Sequence, residues 1–335
     1  MMDSHTSICH KALLLLALLP PTLSQSDYPN RNTKRGIAYM GTHANDNALL
    51  LSRNTPLSWY YNWSPYPPTS QIPQNSPLEF VPLIHGLDGA RSSRTSEVIN
   101  SLPSSSQHIL SFNEPDGTTD SGGSSIKPED AARAYIDHIV PYRNGNGRKW
   151  KISHPSTTGS PMGLEWLRKF NESCYKIDST NGCPTDFIAA HWYGAFDGLA
   201  AWLGTLDEFY NTNTSQDLKI WVTEWALPQA DTRATVAMMN QSLPYLDRLD
   251  YVERYSWFGA FRTDDANEWT GDGVALFDDD GGLTELGALY MGGNANGFSK
   301  GQKGNGGESA AMSLGVHGGL LFGLCLFAVM ISNLV

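Results

Sequence analysis

The chain carries short runs in which apolar and β-branched residues crowd together, at Gly36–Met40, Leu57–Trp63, Glu79–His85, His108–Asn113, Lys151–His154, Asp186–Trp192, Lys219–Glu224 and Val252–Phe258. Runs of this length, bounded by turn-forming residues, are expected to be strands. Between several of them the apolar spacing changes to three and four. Pro128 to Tyr142 sets Ala131, Ala132, Tyr135, Ile136 and Ile139 on one helical face, and Leu164 to Phe170 repeats the pattern. Eight strands alternating with helices predict an α/β protein whose parallel sheet closes as a (β/α)8 TIM barrel, in one domain over residues 25–297. A doubly wound sheet competes, but no Gly-rich phosphate loop follows the first strand. No repeat of fixed period points to a solenoid or propeller.

Most of these strands end on polar or aromatic residues: Tyr39, Trp63, His85, Asn113-Glu114, His154, His191-Trp192-Tyr193, Glu224-Trp225 and Trp257. The C-terminal strand ends of a parallel barrel build its active site. Glu114 precedes Pro115, which cannot continue a ladder and leaves the carboxylate at a strand-to-loop break. Glu224 ends Ile220-Trp221-Val222-Thr223 in the same way. Two such carboxylates can flank a glycosidic bond, one protonated to release the leaving oxygen and the other ionised to attack the anomeric carbon. His191 and Tyr193 share a strand face, so Tyr193 can donate to the attacking carboxylate. His191 and His154 are candidates to hold sugar hydroxyls, Trp63 to form a sugar platform, and Trp257 to floor the subsite where the bond breaks. Tyr39 and Trp225 complete the candidate sugar-binding set.

Composition narrows the chemistry. A net charge of −11 without a basic run argues against a nucleic-acid partner, since phosphate binding needs clustered Lys and Arg. Ten Trp and fourteen Tyr, many beside Asn, His and Glu, suit sugars, which present an apolar C–H face together with hydroxyls. Asp278-Asp279-Asp280-Gly281-Gly282 lacks the spacing of a calcium loop and reads as a turn. No metal or organic cofactor is expected. Asn62, Asn171, Asn213 and Asn240 fit the N-glycosylation pattern.

The two ends have a different character. Lys11, the apolar run Ala12 to Leu19, Pro20-Pro21 and the small residues Thr22 and Ser24 have the layout of a secretory signal peptide over 1–24. That run is far shorter than the roughly 20 residues a membrane span needs. Residues 298–313 read as a Gly-rich linker containing an attachment site, and 314–335 as a hydrophobic tail with no basic residue after it. This is the order of a GPI signal, with Asn305 or Ser309 as the attachment residue, rather than of a permanent transmembrane helix. Cys9 and Cys325 would be removed with the two ends, leaving Cys174 and Cys183 to close one disulfide in an oxidising compartment. The mature protein is expected at the cell surface or wall, as a monomer held to the outer leaflet.

Lys34-Arg35-Gly36-Ile37-Ala38-Tyr39, Trp59-Tyr60-Tyr61-Asn62-Trp63, Phe112-Asn113-Glu114-Pro115, His191-Trp192-Tyr193-Gly194 and Thr223-Glu224-Trp225 resemble the motifs of glycoside hydrolase family 128, the fungal alkali-sensitive-linkage type. The resemblance runs from about Arg35 to Gly293. It implies a clan A barrel and a retaining endo-β-1,3-glucanase, with Glu114 as acid/base, Glu224 as nucleophile and Asn113 on the 2-hydroxyl of the sugar under attack. Met40 stands after the first strand, where the family often has Asn. Two other activities share this pattern: a wall-tethered glucan-binding protein with little hydrolysis, and a β-1,3-glucan transglycosylase using the same carboxylates.

Overall fold

The computed structural model describes residues 28–41, 43–145, 147–212 and 217–304. Every expected strand is present: β1 Gly36–Ala38, β2 Trp59–Tyr61, β3 Glu79–Phe80, β4 His108–Ile109, β5 Lys151–Ile152, β6 Phe187–Tyr193, β7 Lys219–Ala226 and β8 Val252–Trp257. They pair in sequence order and always parallel, in the ladders β1-β2-β3, β4-β5 and β6-β7-β8. Isolated parallel bridges join Leu83 to Leu110, Ser153 to Phe187, Arg35 to Tyr255 and Tyr39 to Ala260. The helices are α1 Ala44–Leu50, α2 Leu87–Arg91, α3 Ser93–Ser101, α4 Pro128–Ala134, α5 Val140–Asn144, α6 Pro161–Ile177, α7 Phe196–Asn211, α8 Thr232–Arg248 and α9 Glu285–Tyr290. The architecture is α/β.

Parallel strands covered on both faces create two apolar layers. The inner one holds Ala38, Trp59, Tyr61, Val81, Leu83, Leu110, Phe187, Ala189 and Trp221, with Trp63 against it. The outer one sets Ile37, Tyr60, Ile109, Ile152, Ile188, Ile220 and Val252 in a core shared with the helical residues Leu167, Phe170, Leu203, Met239 and Leu246. Alternation along each strand separates the two: Trp59 and Tyr61 point in, Tyr60 out. Near the N-terminal ends of β3 and β4 the inner layer closes on a charged cluster. Glu79 accepts from Arg254 Nη2 at 2.7 Å and meets His108 Nδ1 at 2.7 Å, while the Arg254 guanidinium lies 4.2 Å from the Trp221 ring centroid.

Local sequence sets the helix ends. Ser160 caps α6 by accepting from Gly163 N, with Pro161 in its first turn, and Asp231 caps α8 by accepting from Ala234 N. The helix expected over Pro128 to Tyr142 is interrupted by a π-helical turn at Tyr135–Ile139. Pro141 follows, and its missing N–H removes the bond that an α-helix would make back to Asp137. Cys174 of α6 and Cys183 are joined by a disulfide, with Cα atoms 5.3 Å apart.

The start of the segment read as a linker is folded onto the domain. Phe298 is buried, Leu283 N donates to Gln302 O, Gly301 N donates to Leu283 O, and Lys303 pairs with Asp280 at 2.7 Å. Glycine richness hid this docking because it rests mainly on backbone bonds. The leader 1–24, Asn305, Ser309, Asn213 and the tail 314–335 lie outside the described residues. Among the described residues no helix is long and apolar enough to cross a membrane.

Candidate active site

The position of Glu224 depends on an irregularity in β7. Trp221 belongs to the inner layer and Val222 to the outer, so strict alternation would turn Glu224 outward and Trp225 inward. The β6–β7 register instead passes from Ala190 opposite Val222 to His191 opposite Glu224. One additional residue on β7 reverses the parity beyond it, as a β-bulge does. Glu224 therefore faces inward and Trp225 joins the outer core. β6 keeps its alternation, so Phe187, Ala189, His191 and Tyr193 follow one another along the inner face.

Donors converge on Glu224, which is 4 % exposed. Its Oε1 accepts from Tyr61 Oη at 3.0 Å and Trp63 Nε1 at 2.6 Å, and its Oε2 accepts from Tyr193 Oη at 2.5 Å. Burial and the neighbouring carboxylate push the Tyr61 and Tyr193 phenols well above their ordinary pKa, so both remain donors. Glu114 lies on the loop after β4, where its amide donates to Ser156 O and its own carbonyl accepts from Gly117 N. His191 connects the two acids. Nδ1 is 2.9 Å from Glu114 Oε1 and Nε2 is 3.4 Å from Glu224 Oε1. Burial opposes charge on this imidazole, but the two carboxylates outweigh it and raise its pKa. One oxygen of each acid and a ring nitrogen all lie within 4.8 Å of one another.

Backbone conformation at the site is unusual. Trp63 has φ 55° and Glu114 φ 38°, in the left-handed region that non-glycine residues seldom adopt. Asn113 is buried beside Glu114, and its Nδ2 donates to Gly122 O at 3.1 Å. Its Oδ1 is buried without a protein partner, leaving an acceptor free for a ligand hydroxyl. Glu114, His191 and Glu224 form a group with metal-ligand geometry. The donor set does not favour an ion. His191 spans two carboxylates through both ring nitrogens, and the Glu224 oxygens already accept from three neutral donors. These donors suit an isolated carboxylate.

Comparison with known proteins gives this constellation a family. The glycosyl hydrolase catalytic core matches residues 36–290. Alkali-sensitive linkage protein 1 of Schizosaccharomyces pombe is 30 % identical over 267 residues, which cover 77 % of this chain and 44 % of that protein. The chain is a family 128 glycoside hydrolase. Among solved family 128 structures, the curdlan-specific exo-β-1,3-glucanase of Blastomyces gilchristii is 30 % identical with a TM-score of 0.57, covering 77 % of this chain and 97 % of that one. The endo-β-1,3-glucanase of Pseudomonas viridiflava is 25 % identical with a TM-score of 0.63, covering 80 % and 100 %. This family 128 chain spans less than half the length of the fission-yeast relative.

Within the family 128 chain, Glu114, Glu224, Asn113, His191, Tyr193 and Trp63 come together. His191 is 1 % exposed and both its nitrogens face carboxylates, so it holds the acids rather than sugar hydroxyls. The other candidates lie elsewhere. His154 packs against Tyr135 and Phe170, meets Cys183 O at 2.7 Å and Tyr210 Oη at 3.1 Å, and is held down to about 4 by burial. Tyr39 turns outward, with its hydroxyl on Asn47. Trp225 and Trp257 stack edge-on in the outer core, and Trp257 Nε1 donates to Val274 O. Tyr61 is the site residue that motif reading missed. Its place between Trp59 and Trp63 on one strand face was the available signal.

Proposed function

We propose that this hydrolase cleaves β-1,3-glucan, as an endo-acting enzyme that retains anomeric configuration, on a fully closed (β/α)8 barrel. The Glu114–His191–Glu224 cluster carries the reading. Carboxyl groups of retaining enzymes stand about 5 to 5.5 Å apart, whereas inverting enzymes leave about 6.5 Å or more for a water. Oxygens within 4.8 Å support the close arrangement. Glu224 attacks the anomeric carbon while Glu114 protonates the leaving oxygen. Water activated by Glu114 then releases the glycosyl ester. Three donors hold the Glu224 oxygens in place for the attack, and the free Oδ1 of Asn113 accepts from the 2-hydroxyl. The in-order parallel pairing and the bridges from β1 to β8 support barrel closure.

Exo action is the second reading, favoured by the 30 % identity to the curdlan-specific exo-enzyme. One experiment addresses substrate, stereochemistry and mode together. Glu114→Ala acting on dinitrophenyl β-laminari-oligosaccharides, whose phenolate leaves without a proton, should regain activity with added azide and release a β-glycosyl azide, because azide attacks the glycosyl intermediate without a base. An α-azide, or the absence of any rescue, overturns the retaining assignment. Transfer of an oligosaccharyl unit to azide indicates endo action, and rescue confined to the dinitrophenyl glucoside, exo action. We also read the chain as exported and GPI-anchored at the cell surface. Release of intact cell-surface protein by a phosphatidylinositol-specific phospholipase tests that.

A further inference from the structure

The wall above Glu224 is a sequence of rings in contact. Centroids are 5.0 Å apart for Tyr61 and Trp63, 5.8 Å for Trp63 and Phe258, 5.7 Å for Phe258 and Tyr193, and 4.6 Å for Tyr193 and Trp269. Tyr61 at one end is fully buried, whereas Trp269 at the other is 57 % exposed. A solitary exposed apolar residue is ordinary. This one, however, is held in place. Gln229, on the connection between β7 and α8, donates through Nε2 to the carbonyls of Glu268, at 2.5 Å, and of Trp269, at 2.9 Å. Its amide donates to Thr270 O at 2.9 Å, and Asn267 Oδ1 accepts from Thr270 N at 2.8 Å. Gln229 itself adopts φ 57°. Four hydrogen bonds and a left-handed residue thus fix the backbone that presents one open indole beside the tyrosine touching Glu224.

We propose that Trp269 is a sugar platform, stacking its exposed face on a glucosyl ring of the bound chain beyond the ring attacked at Glu224. The proposal rests on the β-1,3-glucan reading of the cleft. An indole face covers the C–H surface of a pyranose and leaves its equatorial hydroxyls in water. The indole touches Tyr193 and reaches neither carboxylate through a hydrogen bond, so it contributes binding common to ground and transition states. Such binding shows in KM rather than kcat.

Titration calorimetry of laminarihexaose into Glu224→Gln measures the platform without turnover. Adding Trp269→Ala should raise Kd about tenfold, as loss of a well-packed aromatic contact does. Trp269→Phe should keep most of the affinity. Trp269→Leu, which keeps apolar volume without a ring face, should bind as weakly as the alanine variant. In the active enzyme Trp269→Ala should raise KM about tenfold with kcat within about threefold. Equal Kd values for Glu224→Gln with and without Trp269 overturn the platform and leave the glucan reading intact. A loss confined to kcat overturns it as well. Failure of Glu224→Gln itself to bind laminarihexaose overturns the glucan reading and the platform together.

Discussion

Two buried acid–histidine clusters occupy opposite ends of the inner layer, and their charge inventories are inverted. Near the strand starts, one carboxylate, Glu79, meets the His108 imidazole and the Arg254 guanidinium. Near the strand ends, two carboxylates share the single imidazole of His191. Burial pushes the Glu79 carboxyl up, but the His108 hydrogen bond and the Arg254 charge outweigh it and bring its pKa to about 2. That carboxylate is compensated and chemically quiet. The second cluster is one cation short, which leaves its two carboxylates without a charged partner each. The same residue types give a structural clamp in one place and a reaction centre in the other, and stoichiometry decides between them.

The comparison breaks most visibly at Glu224. Glu224→Gln should lower turnover of β-1,3-glucan about 10⁴-fold or more while shifting stability by less than about 1 kcal/mol, because the amide keeps the shape but cannot attack. Reducing-sugar release and thermal melting check both halves, and near-wild-type turnover would overturn the nucleophile assignment.

Glu79→Gln should do the reverse. It strands a buried Arg254, so urea denaturation should report a loss of about 3–5 kcal/mol, with kcat/KM of the folded fraction within about threefold. The pH dependence sharpens the contrast. With a folded pKa of about 2 against an ordinary 4.5, Glu79 contributes stability that is fully present above 4.5. That contribution, about 3 kcal/mol, is lost as pH falls from 4.5 through 2. Wild-type stability should therefore fall more steeply over that window than that of Glu79→Gln. Parallel profiles would show the clamp to be energetically idle.

The smallest effect is expected outside both clusters. Tyr39→Phe removes a hydroxyl that bonds Asn47, not substrate. It should cost about 1 kcal/mol of stability and leave kcat/KM within about twofold. A larger kinetic loss would return Tyr39 to the cleft.

The eight strands and the two glutamates at their ends are legible because apolar runs are local signals, sharpened at Phe112-Asn113-Glu114-Pro115 by the following proline. Facing is not. A strand buried on both sides carries aromatic residues on either face, so nothing in Gly36-Ile37-Ala38-Tyr39 or Val252 to Trp257 says which ring points inward. Tyr39, His154, Trp225 and Trp257 were misplaced for that reason. Strict alternation would turn Glu224 outward, and the additional residue in β7 that turns it inward leaves no mark in composition. His191 read as a sugar ligand because an imidazole among aromatics suggests hydroxyl binding, whereas its partners come from strands far apart in sequence.

The left-handed backbone of Glu114 carries a consequence for how the chain can evolve. A glycine would hold φ 38° with little strain, whereas a residue with a Cβ there costs about 1–3 kcal/mol. Relief of that strain would favour losing the side chain at this position, whereas the buried pair with His191 and selection for turnover oppose it. Lineages that kept the fold for binding and abandoned hydrolysis would be free to settle the conflict in favour of glycine, so the residue at this one position would record which demand prevailed.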